Sequence, residues 1–167
     1  MSDTTVRIVV TGTAWMGGGI GSIESALEQL FREAKQEISL TAYSLSTGAD
    51  LLFDWMEAAL ARGVQISLII NHLNDHPFEV ISKLRRFAAT YTHLRLYDFL
   101  SEGEADLHAK VIVVDHNKAL IGSSNLSRRG LLANHEMAVM IQGTAVVNVA
   151  NAMDRLMQSR DVVRVLL

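Results

Sequence analysis

The sequence predicts an α/β fold in which a mixed β-sheet is sandwiched between helices. Short runs rich in valine, isoleucine and leucine recur along the chain and are typical of strands. Segments with apolar residues at helical spacing separate the early runs, as expected for parallel strands joined by helical crossovers. A polar turn separates two later apolar runs and indicates a hairpin. The sheet should therefore contain both parallel and antiparallel strands.

Length and composition limit the classes of protein to consider. A chain of 167 residues with 49% hydrophobic residues fits one domain, 1–167, with a sizeable core. A net charge of −3 argues against a strongly basic nucleic-acid binder. The absence of cysteine excludes disulfides and thiolate metal sites. The first residues resemble no secretory signal and no apolar run could span a bilayer, so we expect a cytoplasmic protein without stable membrane association.

The first half of the chain alternates predicted strands and helices. Val6–Val10 begins a strand, and the Gly-rich segment Thr11–Gly21 should be a flexible loop because it lacks the lysine of a phosphate-binding loop. Ser22 is a suitable N-cap for a helix that ends near Lys35. The elements expected next are a strand at Glu37–Leu45, a helix from Leu51 to Leu60 that Arg62 and Gly63 end, a strand at Val64–Ile70, and a helix after Pro77 with its apolar stripe at Val80, Ile81, Leu84, Phe87 and Ala88.

The second half contains the hairpin. The elements expected are a strand at His93–Phe99, an acidic loop at Ser101–Asp106, a strand at Val111–Val114, a turn at Asp115–Lys118, a return strand at Lys118–Ser124, a strand at Met137–Ile141, a helix from about Thr144 to Ser159 with Val146, Val149, Ala152, Met153, Leu156 and Met157 on one face, and an edge strand or docking segment at Val162–Leu167.

Residues with reactive side chains concentrate around the hairpin. His108 and Lys110 are two residues apart, so a strand would place both side chains on one face. Lys110 is a single polar group in an apolar run, which packing alone does not explain. Ser123 and Asn125 have the same spacing in the return strand and offer hydroxyl and amide donors.

These residue types suit an anionic centre that gains charge while it is attacked. Histidine acts as a nucleophile or a proton carrier near neutral pH, and lysine supplies positive charge. Gly122 would let a ligand or another backbone come close, and Glu136 could orient His108 and favour its charged form. A phosphodiester is the substrate that such a site fits best.

The same residues carry a resemblance. The pattern H-x-K-x4-D-x6-G-S-x-N, complete at His108, Lys110, Asp115, Gly122, Ser123 and Asn125, resembles the signature of the phospholipase D superfamily. Glu136 falls where that family has a downstream glutamate. The resemblance implies a phospholipase D/nuclease-like α/β/α fold and assigns His108, Lys110, Ser123, Asn125, Asp115 and Glu136 to the catalytic set. From the spacing alone, the odd separation of Asp115 from His108 indicates a structural or interface role.

The family mechanism, as the resemblance implies it, needs two histidines and neither metal nor cofactor. One histidine attacks phosphorus and forms a phosphohistidine. The other protonates the leaving oxygen and then activates water. This chain contains one such motif, so we expect a homodimer with a shared active site, as in the similarly sized single-motif bacterial endonucleases of the superfamily.

Several neighbouring groups leave alternatives open. Arg128 and Arg129 could bind substrate phosphates or the acidic residues near the motif. The loop 102–106 would repel a polyanion unless it faces away or folds over the site as a gate. Two histidines and an aspartate in Asn71–His76 could suggest a metal, but no further ligand cluster supports one. Tyr43 is expected in the core rather than at the site.

Three functional hypotheses follow. The leading hypothesis is a metal-independent nuclease, with DNA favoured over RNA, in bacterial DNA processing or defence. The second keeps the chemistry but takes a phospholipid headgroup ester, for which Trp15, Met16, Phe99 and Leu100 could form an apolar mouth. The third is a non-catalytic or partner-dependent subunit of a larger bacterial nucleic-acid complex.

Overall fold

The computed structural model describes residues 3–166. Within this range the chain forms nine strands, five α-helices and one 3₁₀ turn at Leu73–Asp75. The strands are β1 Thr4–Thr11, β2 Gly21–Ser22, β3 Glu37–Ala42, β4 Gln65–Asn71, β5 Leu94–Phe99, β6 Lys110–Val114, β7 Lys118–Gly122, β8 Glu136–Gly143 and β9 Val162–Arg164. The helices are α1 Ile23–Glu33, α2 Asp50–Ala61, α3 Phe78–Thr90, α4 Arg128–Leu132 and α5 Val146–Met157.

All nine strands join one sheet in the order β2-β1-β8-β7-β6-β3-β4-β5-β9. β3, β4 and β5 pair in parallel, whereas β6, β7, β8 and β1 pair antiparallel, so the sheet is mixed as predicted. Side chains from α1, α2 and α3 form the larger core on one face of the sheet, and α5 forms a smaller core on the other face. The predicted α/β/α architecture is confirmed.

The signals that define the early elements act as predicted. Ser22 caps α1, because its hydroxyl accepts a hydrogen bond from the backbone N–H of Ser25. Gly63, with a φ of 86°, follows the end of α2 in the left-handed conformation that glycine adopts without strain. The final apolar run forms edge strand β9 against β5, although Leu167 lies outside the described residues.

Two predicted elements end earlier than expected, and a third, α5, buries a different alanine from the one predicted. β3 ends at Ala42 rather than at Leu45, and α1 ends at Glu33. On α5, Ala150 is buried where the predicted stripe named Ala152, which is exposed. Ala150 lies four residues after Val146 and three before Met153, so helical spacing itself places it on the buried stripe and the expectation for Ala152 is wrong.

The hairpin β6–β7 has tight geometry at its turn. Asp115 and His116 have φ values of 50° and 52°, and the N–H of Asn117 donates to the carbonyl of Val114 at 3.0 Å. Positive φ at both central residues is the type I′ pattern, whose twist matches that of the flanking strands. The turn lies at the end of β6 opposite to Lys110.

Strand boundaries near the reactive residues differ from the prediction. β6 begins at Lys110, so His108 precedes the strand rather than lying in it. β7 ends at Gly122, so Ser123 and Asn125 lie in the loop that leads to α4. The expected placement of these side chains by strand alternation is therefore wrong, and other contacts must position them.

Candidate active site

The reactive residues converge at one edge of the sheet because of its topology. β3 and β4 end at this edge, and β6 begins there because it runs antiparallel to β3. β7 ends and β8 begins at the same edge. Residues far apart in sequence are thus neighbours, and Lys110, the one polar residue of β6, lies among them.

His108 and Lys110 are in direct contact. The Lys110 Nζ lies 2.9 Å from both ring nitrogens of His108 and donates to the His108 carbonyl oxygen at 2.7 Å. The donor and acceptor roles of the two ring nitrogens in these contacts depend on the tautomer of His108. His108 is exposed, and its imidazole is therefore accessible to a substrate.

Tyr43 forms one wall of this pair, contrary to the expectation that it lies in the core. Its ring packs edge-on against the His108 ring with the centroids 4.4 Å apart, and Lys110 Nζ lies 5.0 Å from its centroid. Tyr43 follows the last residue of β3 and is only half-buried. Its position just after an apolar strand was the one available sequence signal, since strand ends border ligand sites in α/β sheets.

Gly122 brings β7 and β8 close together beside Lys110. Lys110 pairs with Gly122, which pairs with Ala138, and Glu136 lies on the same face two residues from Ala138. No side chain separates Lys110 from Glu136 at the Gly122 position. A Cβ at Gly122 would clash with the Ala138 side chain and lie 2.7 Å from the carbonyl oxygen of Met137. The predicted close approach at Gly122 is thus observed, with a neighbouring strand as the partner.

Glu136 contacts Ser123 rather than its own His108. The Ser123 hydroxyl donates to one carboxylate oxygen of Glu136, and Asn134 Nδ2 donates to the other at 3.2 Å. Among the hydrogen bonds of residues 3–166, Glu136 makes none to His108, so the predicted orientation of His108 by Glu136 within one chain is not observed. Glu136 instead positions Ser123, whose hydroxyl also accepts from the Met137 N–H at 3.3 Å.

Burial lowers the pKa of Lys110, and the negative charge of Glu136 acts in the opposite direction. Both effects follow from the placement of Lys110 at the first position of a strand, half-buried below the surface that carries His108. Lys110 should thus lose its proton at a lower pH than an ordinary surface lysine. The protonated form is the one that could stabilise a phosphoryl oxygen.

The loop after β7 contributes Asn125 and the two arginines. The Oδ1 atom of Asn125 is buried and has no hydrogen-bond partner among the described residues, which is unusual for a buried polar atom outside a functional site. Ser127 caps α4 by accepting from the Gly130 N–H at 3.2 Å. Arg128 and Arg129 open α4 with exposed side chains, so both guanidinium groups are accessible to solvent near Asn125.

Asp115 lies at the opposite end of β6 and makes structural contacts. Its carboxylate accepts hydrogen bonds at 2.9 Å from the N–H groups of Lys35, Gln36 and Glu37, where the chain enters β3. Burial raises the pKa of Asp115, but these three backbone donors outweigh burial and hold the pKa below the usual aspartate range. These contacts agree with the structural role that its spacing indicated and place it away from His108.

The other histidines make structural contacts. His76 bridges the backbone of Leu45 and Asn71, and His116 lies 2.8 Å from a Glu37 carboxylate oxygen in the hairpin turn. His135 Nε2 accepts from the Ala14 N–H at 3.2 Å. In the described part of the chain, no group of three or more His, Cys, Asp or Glu side chains is arranged to hold a metal ion.

The acidic loop before the motif is anchored by one of its carboxylates. Asp106 accepts from Asn71 Nδ2 at 3.0 Å and lies 3.3 Å from His72 Nε2. Glu102 and Glu104 are exposed. Asp106 is therefore directed toward the end of β4 by contacts within the chain.

Comparison with known proteins identifies related sequences along most of the chain. The family model described as "Cardiolipin synthase, PLD-like domain" matches residues 27–159. The DISARM protein DrmC of Bacillus paralicheniformis is 27% identical over 159 residues, which cover 94% of this chain and 65% of that protein. Cardiolipin synthase A of Pectobacterium carotovorum is 31% identical over 147 residues, covering 84% of this chain and 28% of that protein. The chain thus spans less than two thirds of either relative.

Solved structures share the fold over the full chain. Nuc from Salmonella typhimurium, described as a phospholipase D family member, superimposes with a TM-score of 0.76 at 22% identity, covering 99% of this chain and 100% of that one. NucT from Helicobacter pylori superimposes with a TM-score of 0.74 at 14% identity, covering 96% and 99%. Between residues 3 and 166, none of the helices combines the length and apolar content needed to cross a bilayer.

Proposed function

This chain belongs to the PLD-like domain family, and we propose that it is a metal-independent phosphodiesterase that cleaves nucleic acid through a phosphohistidine intermediate. The observation that carries the proposal is the exposed imidazole of His108 with the Lys110 ammonium 2.9 Å from its ring nitrogens. This pair combines a nucleophile with the positive charge that a phosphodiester requires. The pair lies at the sheet edge where β3, β4 and β7 end and β6 and β8 begin. Because His108 is exposed at this edge, a long substrate could reach it.

In the proposed first step, a ring nitrogen of His108 attacks phosphorus. An N–P bond forms and the P–O bond to the leaving group breaks. A second His108, from a second copy of the chain, donates a proton to the leaving oxygen. The Lys110 ammonium and the Asn125 side chain stabilise the negative charge on the non-bridging oxygens, and the Ser123 hydroxyl joins them by exchanging its Glu136 acceptor for a phosphoryl oxygen. In the second step, the second histidine takes a proton from water, water attacks phosphorus, and the N–P bond breaks.

The single motif and an uncovered apolar surface support a homodimer. Outward-facing side chains of β1, β7 and β8 form this surface, which we call the uncovered face: Val6, Ile8, Ile121, Met137 and Val139. Ile8 is 43% exposed and Met137 44% exposed. Helix α5 covers the neighbouring part of the same sheet face around Val113 and Ala119. A second copy could cover the remainder beside Glu136, where the site begins.

The cationic groups support nucleic acid as the substrate, with DNA favoured over RNA. Arg128 and Arg129 begin α4 next to Asn125 and could contact phosphates that flank the scissile one. Asp106 is directed toward Asn71 and His72, whereas Glu102 and Glu104 are exposed and would repel a polyanion that approached them. The similarity to Nuc and NucT over their whole lengths agrees with the resemblance to single-motif endonucleases. A role in bacterial DNA processing or defence is consistent with this substrate.

A phospholipid headgroup ester is the alternative substrate. The similarity to cardiolipin synthase A and an exposed apolar loop favour it. Trp15, Met16 and Ile20 of this loop are all exposed, and the loop follows Thr11, which pairs with Glu136. Phe99 is buried and could not contribute to an apolar mouth, whereas Leu100 is exposed.

The test incubates the purified protein in EDTA with single-stranded DNA, duplex DNA, RNA, a chromogenic phosphodiester and cardiolipin vesicles. We expect nucleic-acid cleavage that persists in chelator and falls by roughly 10⁴-fold or more in His108→Ala. His116→Ala, at the far end of the hairpin, is the matched control and should remain active. Turnover of cardiolipin alone would establish the alternative. Activity only beside a partner protein would favour a subunit of a larger complex.

A further inference from the structure

On the side that faces β3, the backbone that carries His108 and Lys110 is not held by regular strand pairing, although Lys110 and Val111 pair with β7 on the other side. β3 and β6 pair at Ile38, Ser39 and Leu40, and the last pair joins Leu40 to Ile112. Continued pairing would place residue 41 opposite 111 and residue 42 opposite 110, but the ladder stops. The segment 106–111 therefore needs other partners on this side, because β7 pairs only with Lys110 and Val111 of this segment and leaves residues 106–109 outside both ladders.

The side chain of Thr41 makes the hydrogen bonds that strand pairing with β3 would otherwise supply. Its hydroxyl donates to the carbonyl oxygen of Ala109 at 2.7 Å and accepts from the N–H of Val111 at 3.0 Å. These two backbone groups flank Lys110 on either side. Thr41 is 1% exposed, so water cannot substitute for the hydroxyl. One buried hydroxyl thus holds the side of this backbone that faces β3, while β7 pairs with the other side.

Asn71 holds the residues before His108 in a similar way. It is the last residue of β4 and is 6% exposed. Its Oδ1 accepts from the Leu107 N–H at 2.8 Å, and its Nδ2 donates to the Asp106 carboxylate at 3.0 Å. The Leu107 N–H can only donate and the ionised carboxylate can only accept, so the network determines the orientation of this amide.

We propose that Thr41 and Asn71 are positioning residues for the reaction, which together hold segment 106–111 so that the His108 imidazole and the Lys110 ammonium meet the substrate in one fixed geometry. This inference rests on the proposed phosphodiesterase function. Neither residue touches His108 or Lys110 side-chain atoms among the described hydrogen bonds; both act through the backbone. Small displacements of reacting groups reduce rates strongly, so loss of either contact should lower kcat more than it raises KM.

The first test replaces the hydroxyl of Thr41. Thr41→Val has nearly the same shape but leaves the Ala109 carbonyl and the Val111 N–H unpaired. We expect kcat on the chromogenic phosphodiester to fall roughly 10- to 100-fold, with KM changed by less than about 3-fold. Thr41→Ser restores the hydroxyl and should recover kcat to within about 3-fold of wild type. Thr90→Val, which removes an exposed hydroxyl bonded to the Arg86 carbonyl, is the matched control.

The second test exchanges donor and acceptor at Asn71. Asn71→Asp keeps the acceptor for Leu107 but places a carboxylate against Asp106, so kcat should fall as in Thr41→Val. The double variant Asn71→Asp/Asp106→Asn restores a matched pair, because an amide at 106 can donate to a carboxylate at 71. Recovery of kcat in the double variant above the Asn71→Asp value is the expected result. This recovery also shows that a low kcat in the single variant is not a folding failure.

Amide hydrogen exchange separates this inference from the proposed function. We expect faster exchange at Val111 in Thr41→Val and at Leu107 in Asn71→Asp, with other amides of β4 and β6 unchanged. If wild type cleaves no phosphodiester, the proposed function is wrong, and the positioning role for a reaction fails with it even where exchange changes. If wild type is active but Thr41→Val matches Thr90→Val in kcat, or if neither Thr41→Ser nor the double variant recovers kcat, the positioning role alone is overturned.

Discussion

Lys110 shows how the surroundings of one residue determine its chemistry. The side chain begins an apolar strand, lies next to His108 and shares a sheet face with Glu136. Burial disfavours its charged form, and the pKa is therefore lowered, while Glu136 partly restores it. A lysine that stabilises a phosphoryl oxygen must remain protonated, so this balance limits the pH range of activity.

We expect the rate to decline on the alkaline side at a lower pH than an ordinary lysine would give. Glu136→Gln removes the charge that raises the Lys110 pKa, so the alkaline decline should move to lower pH still. Lys110→Arg keeps its charge throughout and should abolish the decline, although at a reduced rate. The pH–rate profile of the three proteins measures this. An alkaline limb at the same pH in all three would exclude Lys110 as its source.

Asp115 illustrates a signature residue whose contacts are structural. Asp115→Asn should reduce the free energy of unfolding by about 2–4 kcal/mol, because three backbone N–H groups lose a charged acceptor. The pKa of Asp115 is lowered in the folded state, so its stabilising contribution is present above the ordinary aspartate range. It is lost as the pH falls through the lowered folded-state pKa.

Urea denaturation of Asp115→Asn and wild type at neutral and acidic pH would measure this difference. The difference in unfolding free energy between wild type and Asp115→Asn should become smaller at acidic pH. Asp50→Asn is the control, since that side chain is exposed and makes one long ion pair with Lys83, and it should cost less than about 1 kcal/mol. An equal loss of unfolding free energy in Asp115→Asn and Asp50→Asn would contradict the stabilising role of the hydrogen bonds from Lys35, Gln36 and Glu37 to Asp115.

At the level of elements, the β7–β8 pair determines the geometry beside Lys110. Gly122 lies so close to β8 that an added Cβ would meet Ala138 and the Met137 carbonyl oxygen at 2.7 Å. Backbone atoms cannot yield as a flexible side chain does, so the strands themselves must separate. Ser123, Met137 and Glu136 are hydrogen-bonded across this pair and would move with it.

Gly122→Ala should therefore lower the free energy of unfolding by about 1–3 kcal/mol and reduce phosphodiesterase activity further than the stability loss explains. Gly21→Ala is the matched control, because a Cβ there would meet the Val9 side chain at an ordinary 3.6 Å. Denaturant titration and initial rates on the folded proteins measure both effects. A Gly122→Ala variant as stable and active as Gly21→Ala would show that the close approach is dispensable.

At the level of the whole molecule, the proposed chemistry requires two copies of a chain that has one His108. The uncovered face lies on the side of the sheet opposite to Lys110 and Glu136 and meets the site at the edge where β7 ends and β8 begins. It is the surface whose burial a second copy would favour. A glutamate introduced on this face by substitution of an apolar residue would lose its hydration when the dimer forms, at a cost in free energy. Association and catalysis should therefore be lost together.

Met137→Glu should shift the protein from dimer to monomer in analytical ultracentrifugation and abolish cleavage. Phe78→Glu, at a site 79% exposed at the start of α3, should leave both unchanged. In mixed dimers of wild type and His108→Ala, activity should fall with the square of the wild-type fraction. A linear decline would mean that each protomer acts alone, and a dimeric, active Met137→Glu would exclude the uncovered face as the interface.

The sequence alone determined the fold class and identified the residues that we propose for the reaction. Alternating apolar runs and helices predicted the mixed sheet, and the spacing from His108 to Asn125, with Glu136, identified the family. These features depend on local periodicity and residue type, which a sequence displays directly. Asp115 lies apart from His108 as expected, but the reason is its place in the turn at the far end of β6 and not strand alternation.

Only the tertiary structure decided which residues surround the reactive pair. The insertion of β6 between β3 and β7 brings Thr41, Tyr43 and Asn71 to His108 and Lys110, and it directs Glu136 to Ser123. The spacing of residues predicts on which face of a strand a side chain lies. It does not predict which strand is the neighbour of that strand or where their pairing ends. Those outcomes arise from long-range strand pairing and packing, in which residues some 70 positions apart share hydrogen bonds.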